Sequence, residues 1–155
     1  MIYRILPFLF SALTIVGCTV PNEPLPYPLT ISEEGLGAIH PETPFDQVNT
    51  KLSGFTFEKL SQISPDHPET IFQMKRGDNV IAQIISDPSG KKIASILITS
   101  PLVKNKDNQG LGDPLPMDKT LRCDKNLCSN INEPSLLYRI DPNGRIIREI
   151  TFSRL

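Results

Sequence analysis

Apolar and polar residues alternate with a period of two through most of the chain after residue 54. This alternation is typical of strands that bury one face against a core and leave the other face to solvent. The pattern predicts strands at 55–60, 71–74, 80–86, 93–99, 136–140 and 146–152. The third of these is apolar at both Ile84 and Ile85, which predicts a central position in an antiparallel sheet.

Short polar segments rich in glycine and proline separate these strands and predict tight turns. Asp87-Pro88-Ser89-Gly90 places proline second, where its fixed φ favours a β-turn, and Asp141-Pro142-Asn143-Gly144 has the same form. Arg76-Gly77-Asp78 is an adhesion motif in other contexts. Because it lies between two predicted strands, we interpret it as a hairpin turn.

Helical periodicity occurs before the strands. Thr43 is a candidate N-cap and Pro44 suits a first helical position, and apolar residues at 45, 48 and 52 recur until Gly54. A second short helix is predicted at 113–121. The expected fold class is therefore α+β, mainly antiparallel β-sheet with one or two short helices.

Two short patterns occur twice along the chain. Gly110-Leu111-Gly112 repeats Gly35-Leu36-Gly37, and the two Asp-Pro-x-Gly turns follow in corresponding places. The shared order predicts an internal duplication of a helix-plus-hairpin module. The polar segment 104–110 between the copies is predicted to be a mobile loop.

The N-terminus has the form of an export signal. One basic residue, Arg4, precedes an apolar run at 5–16, which is shorter than the roughly 20 residues that span a bilayer. The run ends in Ile15-Val16-Gly17-Cys18, a sequence similar to a bacterial lipobox. We predict a signal peptide at 1–17 and lipidation of Cys18; the alternative is an ordinary secretory peptide with a chance cysteine.

A proline-rich segment follows the cysteine. The lipidated Cys18 and a semi-rigid tether are predicted at 18–29, and a single β-rich periplasmic domain at 30–155. In Gram-negative lipoproteins, a residue such as Thr19 after the cysteine favours the outer membrane. The formal net charge of −1 gives no basic surface for nucleic acid.

Cys123 and Cys128 are the two cysteines that remain when Cys18 carries lipid. In an oxidising compartment they predict a disulfide. Metal ligation or redox chemistry is the alternative, but zinc needs further ligands and only His40 and His67 are available, both beside prolines. We therefore expect no metal and no cofactor other than the covalent lipid.

Several motifs occur in an order that resembles the RpoE (sigma-E)-regulated lipoprotein family of Gram-negative bacteria. They are residues 32–37, Thr43-Pro44, residues 74–80, the second glycine pair, Cys123 and Cys128, and Tyr138. The resemblance implies an envelope lipoprotein, linked to outer-membrane stress, with a domain of unknown function. It provides no catalytic residues.

We expect a non-enzymatic accessory or binding module of the cell envelope, anchored by lipid to the outer membrane and facing the periplasm, with an unidentified envelope protein as partner. One alternative is an inhibitor of a hydrolase such as lysozyme. The other is an envelope hydrolase, for which His40, His67, Asp46 and Asp66 supply acid-base residue types, although no nucleophile lies in a recognisable motif.

Overall fold

The computed structural model describes residues 25–60, 69–143 and 145–154. The predicted signal peptide, Cys18 with its lipobox, most of the tether, and His67 lie outside the described residues, so those assignments stay predictions. None of the helices in the described ranges is long and apolar enough to cross a bilayer.

Ten strands of the described chain form two antiparallel sheets. The small sheet pairs β1 (Ile31–Ser32) with β2 (Gly35–Leu36). The large sheet has the order β3-β4-β5-β6-β10-β9-β8-β7. Its strands are β3 (Thr56–Leu60), β4 (Ile71–Arg76), β5 (Asn79–Ser86), β6 (Ile93–Ile98), β7 (Leu121–Asp124), β8 (Leu127–Asn130), β9 (Glu133–Ile140) and β10 (Ile147–Ser153).

The α+β prediction is wrong, because the described chain is nearly all β and contains no helix of seven residues or more. Its predicted first helix is a six-residue 3-10 helix at Phe45–Thr50. Pro44 has an extended ψ of 133° and stands before the helix, and the hydroxyl of Thr43 accepts a hydrogen bond from His40 N instead of capping. So short a segment makes few helical hydrogen bonds against the cost of nucleation.

The second predicted helix, at 113–121, is also wrong. Residues 113–120 form turns and extended segments, and Leu121 already begins β7. Pro114 and Pro116 explain this difference, since each proline disfavours helical conformation in the residue before it. The predicted duplication of a helix-plus-hairpin module is therefore wrong with respect to the helix.

What the two halves share is a four-stranded meander. Strands β3 to β6 are consecutive neighbours, as are β7 to β10, and the meanders join through their last strands. The hairpin turns match in detail. Asp87 N donates to Lys92 O at 2.8 Å, and Asp141 N donates to Ile146 O at 3.0 Å; both aspartate carboxylates accept a return bond at 3.2 Å.

The core lies on one face of the large sheet. The register places Ile84, Ile96, Phe152 and Leu136 in one row across four central strands, and all four are buried. The N-terminal segment and the 3-10 helix cover this face with buried residues that include Leu29, Ile31, Leu36, Ile39, Phe45, Val48 and Leu52. The opposite face carries partly exposed polar and apolar residues.

The segment 104–110, predicted to be mobile, is held at several points. Lys104 O accepts a hydrogen bond from Ile31 N at 2.9 Å, and its ammonium pairs with Asp113 at 2.6 Å. Asn105 is 6% exposed, and its side-chain oxygen accepts hydrogen bonds from the N–H groups of Asp107 and Gln109. The polar side chains of this segment form hydrogen bonds that close a turn. Their hydrophilicity is therefore not a sign of mobility.

Candidate functional site: a polar cavity beside a β-bulge

An irregularity in the pairing of β8 with β9 determines which side chains face the candidate site. The register pairs Ser129 with Leu137 but Asn130 with Glu133, so the chain of β9 bulges at 134–136. Inward-facing residues alternate at 136, 138 and 140, which would place Pro134 inward. The bulge instead turns Pro134 to solvent and buries Glu133, which is 7% exposed. Bulges are a common means of redirecting a side chain next to a functional site.

The bulge leaves a backbone donor outside the strand ladder. Ser135 N donates to the Glu33 carboxylate at 3.0 Å, and the Ser135 hydroxyl donates to the same group at 2.6 Å. Glu33 lies in the turn between β1 and β2. This contact ties the N-terminal segment to β9 and stabilises the bulge.

Tyr138 and Asn105 form the floor of the site. Tyr138 is 2% exposed, and its hydroxyl oxygen accepts a hydrogen bond from Asn105 Nδ2 at 3.1 Å. Because Asn105 Oδ1 is occupied by two backbone N–H groups, the orientation of the amide is fixed with Nδ2 toward Tyr138. The phenol is therefore an acceptor toward Asn105, and no acceptor for its own proton lies among the described residues.

Three carboxylates line the same space. Glu133 pairs with Lys106 at 3.1 Å. Asp118 accepts hydrogen bonds from Thr120 N, Thr120 Oγ1 and Leu121 N through a single oxygen, Oδ1, which closes the turn before β7. Asp107 lies on the exposed rim, and its carboxylate has no hydrogen-bond or ion-pair partner within the described part of the chain.

These groups enclose a cavity of about 220 Å³. Asn105, Glu133 and Tyr138 are buried at its base, whereas Asp107 and Asp118 are exposed at its mouth. Leu115, Pro116 and Leu121 form an apolar wall. The site is thus a small polar cavity with a buried floor, an acidic rim and one hydrophobic side.

The electrostatics follow from this lining. Burial raises the pKa of Tyr138 above its ordinary value of 10.0; the hydrogen bond from Asn105 opposes this, and the charges of Glu133 and Asp107 add to the increase. The pKa of Asp118 is lowered, mainly by its hydrogen bond from the Thr120 side chain. At neutral pH the phenol is therefore protonated and Asp118 ionised, and the cavity offers one O–H donor and several anionic acceptors.

The structure confirms the predicted disulfide between Cys123 and Cys128. The two residues lie directly opposite each other on β7 and β8, a hairpin that the hydrophobic pattern did not predict. Cys128 is buried and Cys123 exposed, so the bridge fastens the edge hairpin and contributes no side chain to the polar cavity.

His40, one of the two histidines of the hydrolase alternative, does not line this cavity. His40 is exposed, and its Nδ1 lies 3.0 Å from Glu34 O, while His67 lies outside the described residues. Within the described ranges, no group of three or more His, Cys, Asp or Glu side chains is placed to hold a metal.

Sequence reasoning missed the main residues of the cavity. The family resemblance alone singles out Tyr138, and the polar pattern predicts that Asn105 lies in a mobile loop. The one available sequence signal lies in β9. If the alternation of inward-facing residues is continued from Leu136 toward the N-terminus, it predicts that Pro134 faces the core. A proline is disfavoured inside a paired strand, so this conflict marks an irregularity at Pro134.

No family model matches the chain, and no curated protein matches it in sequence. The fold is similar to the crystal structure of the uncharacterized protein YfeY from Escherichia coli, with a TM-score of 0.62. The two sequences are 16% identical, and the similarity covers 81% of this chain and 99% of YfeY. At this identity the comparison establishes a shared fold.

Proposed function

We propose that this protein is an outer-membrane-anchored lipoprotein that acts as a non-enzymatic binding module of the cell envelope, with the polar cavity as its binding site. The observation that carries the proposal is that a lipobox-like sequence ending at Cys18 is followed, 11 residues later at Leu29, by the buried start of a β-rich fold. Membership of the RpoE-regulated lipoprotein family is part of this proposal, and the order of motifs along the sequence supports it.

The chemistry of the cavity favours binding over catalysis. Asp118 is committed to closing a turn, and Glu133 is paired with Lys106. A protonated phenol and the carboxylate of Asp107 at the mouth are suited to recognising a ligand by hydrogen bonds and charge. Nucleophilic catalysis instead requires a nucleophile held next to an activating base.

The edges of the large sheet are less suited to taking a partner strand. Edge strand β3 presents Glu58 and Lys59, and edge strand β7 presents Arg122 and Asp124, all of them exposed. Charged side chains on edge strands disfavour pairing with another chain. We therefore assign binding to the cavity and not to strand addition.

Membrane fractionation combined with intact mass tests the anchor. The wild-type chain is expected in the outer-membrane fraction with a lipid-sized mass increase on Cys18, and Cys18→Ala is expected to be soluble and unmodified. An unmodified wild-type protein in the soluble fraction would refute the anchor.

Cross-linking in intact envelopes tests the binding module. The double variant Asp107→Asn/Glu133→Gln removes two cavity charges with little change in shape, and Asp124→Asn removes one charge from β7 outside the cavity. We expect partner recovery to be lost in the first and kept in the second. Equal recovery from both would show that the cavity is not the binding site, and recovery of a hydrolase whose activity falls on binding would favour the inhibitor alternative.

A further inference from the structure

We propose that the polar cavity binds a small polyhydroxylated ligand that carries one ammonium group, a protonated 2-amino sugar being the simplest example. This inference rests on the proposed function, in which the cavity is the binding site, and it adds the chemical class of the ligand. Three features of the cavity lead to it.

The first feature is uncompensated negative charge. Among the described residues, the charged side chains that line the cavity are all carboxylates, namely Asp107, Asp118 and Glu133. Lys106 neutralises Glu133, whereas the carboxylate of Asp107 has no partner within the described ranges. An ammonium group at the mouth would donate charge-assisted hydrogen bonds to this carboxylate.

The second feature is independent of charge. The hydroxyl of Tyr138 is buried, accepts from Asn105 and finds no acceptor for its own proton in the described part of the chain. The phenol O–H is therefore a donor that remains available inside the cavity. A ligand hydroxyl can accept this proton and also donate to a carboxylate, which an alkylammonium group cannot do.

The third feature is the size and the wall of the cavity. A volume of about 220 Å³ corresponds to about seven water molecules at 30 Å³ each. This is below the range of about 300–1,000 Å³ for drug-sized ligands. The apolar wall of Leu115, Pro116 and Leu121 can pack against the C–H face of a sugar ring while its hydroxyls meet the polar side.

Titration of the full chain with matched sugars tests the proposal. D-glucosamine, D-glucose and N-acetyl-D-glucosamine share one ring and differ at a single substituent, which is an ammonium, a hydroxyl and a neutral amide. Amide NMR shifts of Asn105 and Tyr138 report occupancy. For a ligand of this size we expect glucosamine to bind with a Kd of about a few millimolar, and the two neutral sugars at least about tenfold more weakly.

Variants connect binding to the named groups. Asp107→Asn is expected to weaken glucosamine binding by about tenfold and Tyr138→Phe by about fivefold, with Asp124→Asn as the unchanged control. Affinity should also fall with added salt, because the charge at the mouth is exposed and screened. The methyl glycoside identifies the source: undiminished binding indicates a terminal residue of a glycan, and lost binding indicates the free sugar.

Three comparative results would each overturn the proposal, in addition to an absence of binding. These are equal binding of glucose and glucosamine, equal weakening by Asp107→Asn and Asp124→Asn, and tighter binding of Nα-acetyl-lysine methylamide, which would assign the site to an alkylammonium group. Absence of glucosamine shifts at tens of millimolar refutes the ligand class alone if cavity-dependent cross-linking in envelopes persists. Loss of both refutes the proposed binding function as well.

Discussion

Gly35 occupies a position that has no room for a side chain. Its φ is +113°, and a Cβ at this residue would lie 2.1 Å from the carbonyl oxygen of Ile39. The opposing atom belongs to the backbone of a turn whose Leu36 and Ile39 are fully buried. We expect Gly35→Ala to lower the free energy of unfolding by about 3 kcal/mol or more, of which about 1–2 is backbone strain and the remainder displacement of the turn in a packed core.

Gly90→Ala provides the matched control, because Gly90 also has a positive φ, +69°, but no atom beyond its immediate chain neighbours lies within 4 Å of the position that its Cβ would take. Its expected cost is about 1 kcal/mol. In urea unfolding followed by circular dichroism, with m near 1.5 kcal/mol/M, these values correspond to midpoint shifts of about 2 M and about 0.7 M. Equal shifts in the two variants would refute the close approach at Gly35.

Three further predictions follow from the contacts described above. Replacing both Cys123 and Cys128 by alanine should reduce stability by about 2 kcal/mol, the chain-entropy value for so short a loop, in urea unfolding at constant protein concentration; no change would mean that the bridge adds nothing. The pKa of Asp87 is lowered, first by a side-chain hydrogen bond from Ser89, so its contribution to stability is complete above its ordinary value of 3.8 and is lost as the pH falls through the folded value. The deficit of Asp87→Asn relative to wild type should accordingly shrink below pH 3.8, and a deficit independent of pH would contradict this. Asn105→Ala removes two bonds from backbone N–H groups, one to the phenol of the cavity floor and one to the Gln109 side chain, and should cost about 2–3 kcal/mol with faster amide exchange at 105–109; unchanged exchange would show that the side chain does not hold the turn.

The strands and turns of the first meander, and β9 and β10 with the turn between them in the second, were largely predictable from sequence. Strand alternation and Asp-Pro-x-Gly turns depend on neighbouring residues, and both meanders bury one face, so the pattern of two persists. The turn at Arg76-Gly77-Asp78 was also predicted, and Gly77 has the positive φ of 57° that such a turn requires. The central position of β5 followed from its apolar residues on both faces.

The helix prediction failed for a reason that local signals do not contain. The cap and the helical spacing at 43–54 were present, but the apolar residues at 45, 48 and 52 are buried by the sheet beneath them whether the backbone forms a full α-helix or one short 3-10 turn. Tertiary packing therefore determined the conformation. The hydrophobic pattern did not predict the β7–β8 hairpin because its residues, Arg122 to Leu127, are mostly exposed and polar.

The cavity itself depends on contacts between residues far apart in the chain, such as Asn105 with Tyr138 and Glu33 with Ser135. No local pattern predicts that an asparagine in a polar loop will be buried. The proline at 134 was the only local conflict, and it indicates an irregular strand without indicating what the irregularity brings together.

A comparison of the two halves explains why the cavity lies in the second. Phe45 N donates to Lys91 O, and Leu115 N donates to Arg145 O, so the two covering segments are attached to their hairpins in the same way. In the first half the segment continues as the 3-10 helix and buries Val48. In the second half, residues 116–120 form no helix after Leu115, and the chain turns directly into β7. In the second half, the space that corresponds to the 3-10 helix is therefore open, and the polar 105–109 turn borders it. The result is a hydrophilic volume above β8 and β9. The bulge in β9 then places Glu133 in this volume.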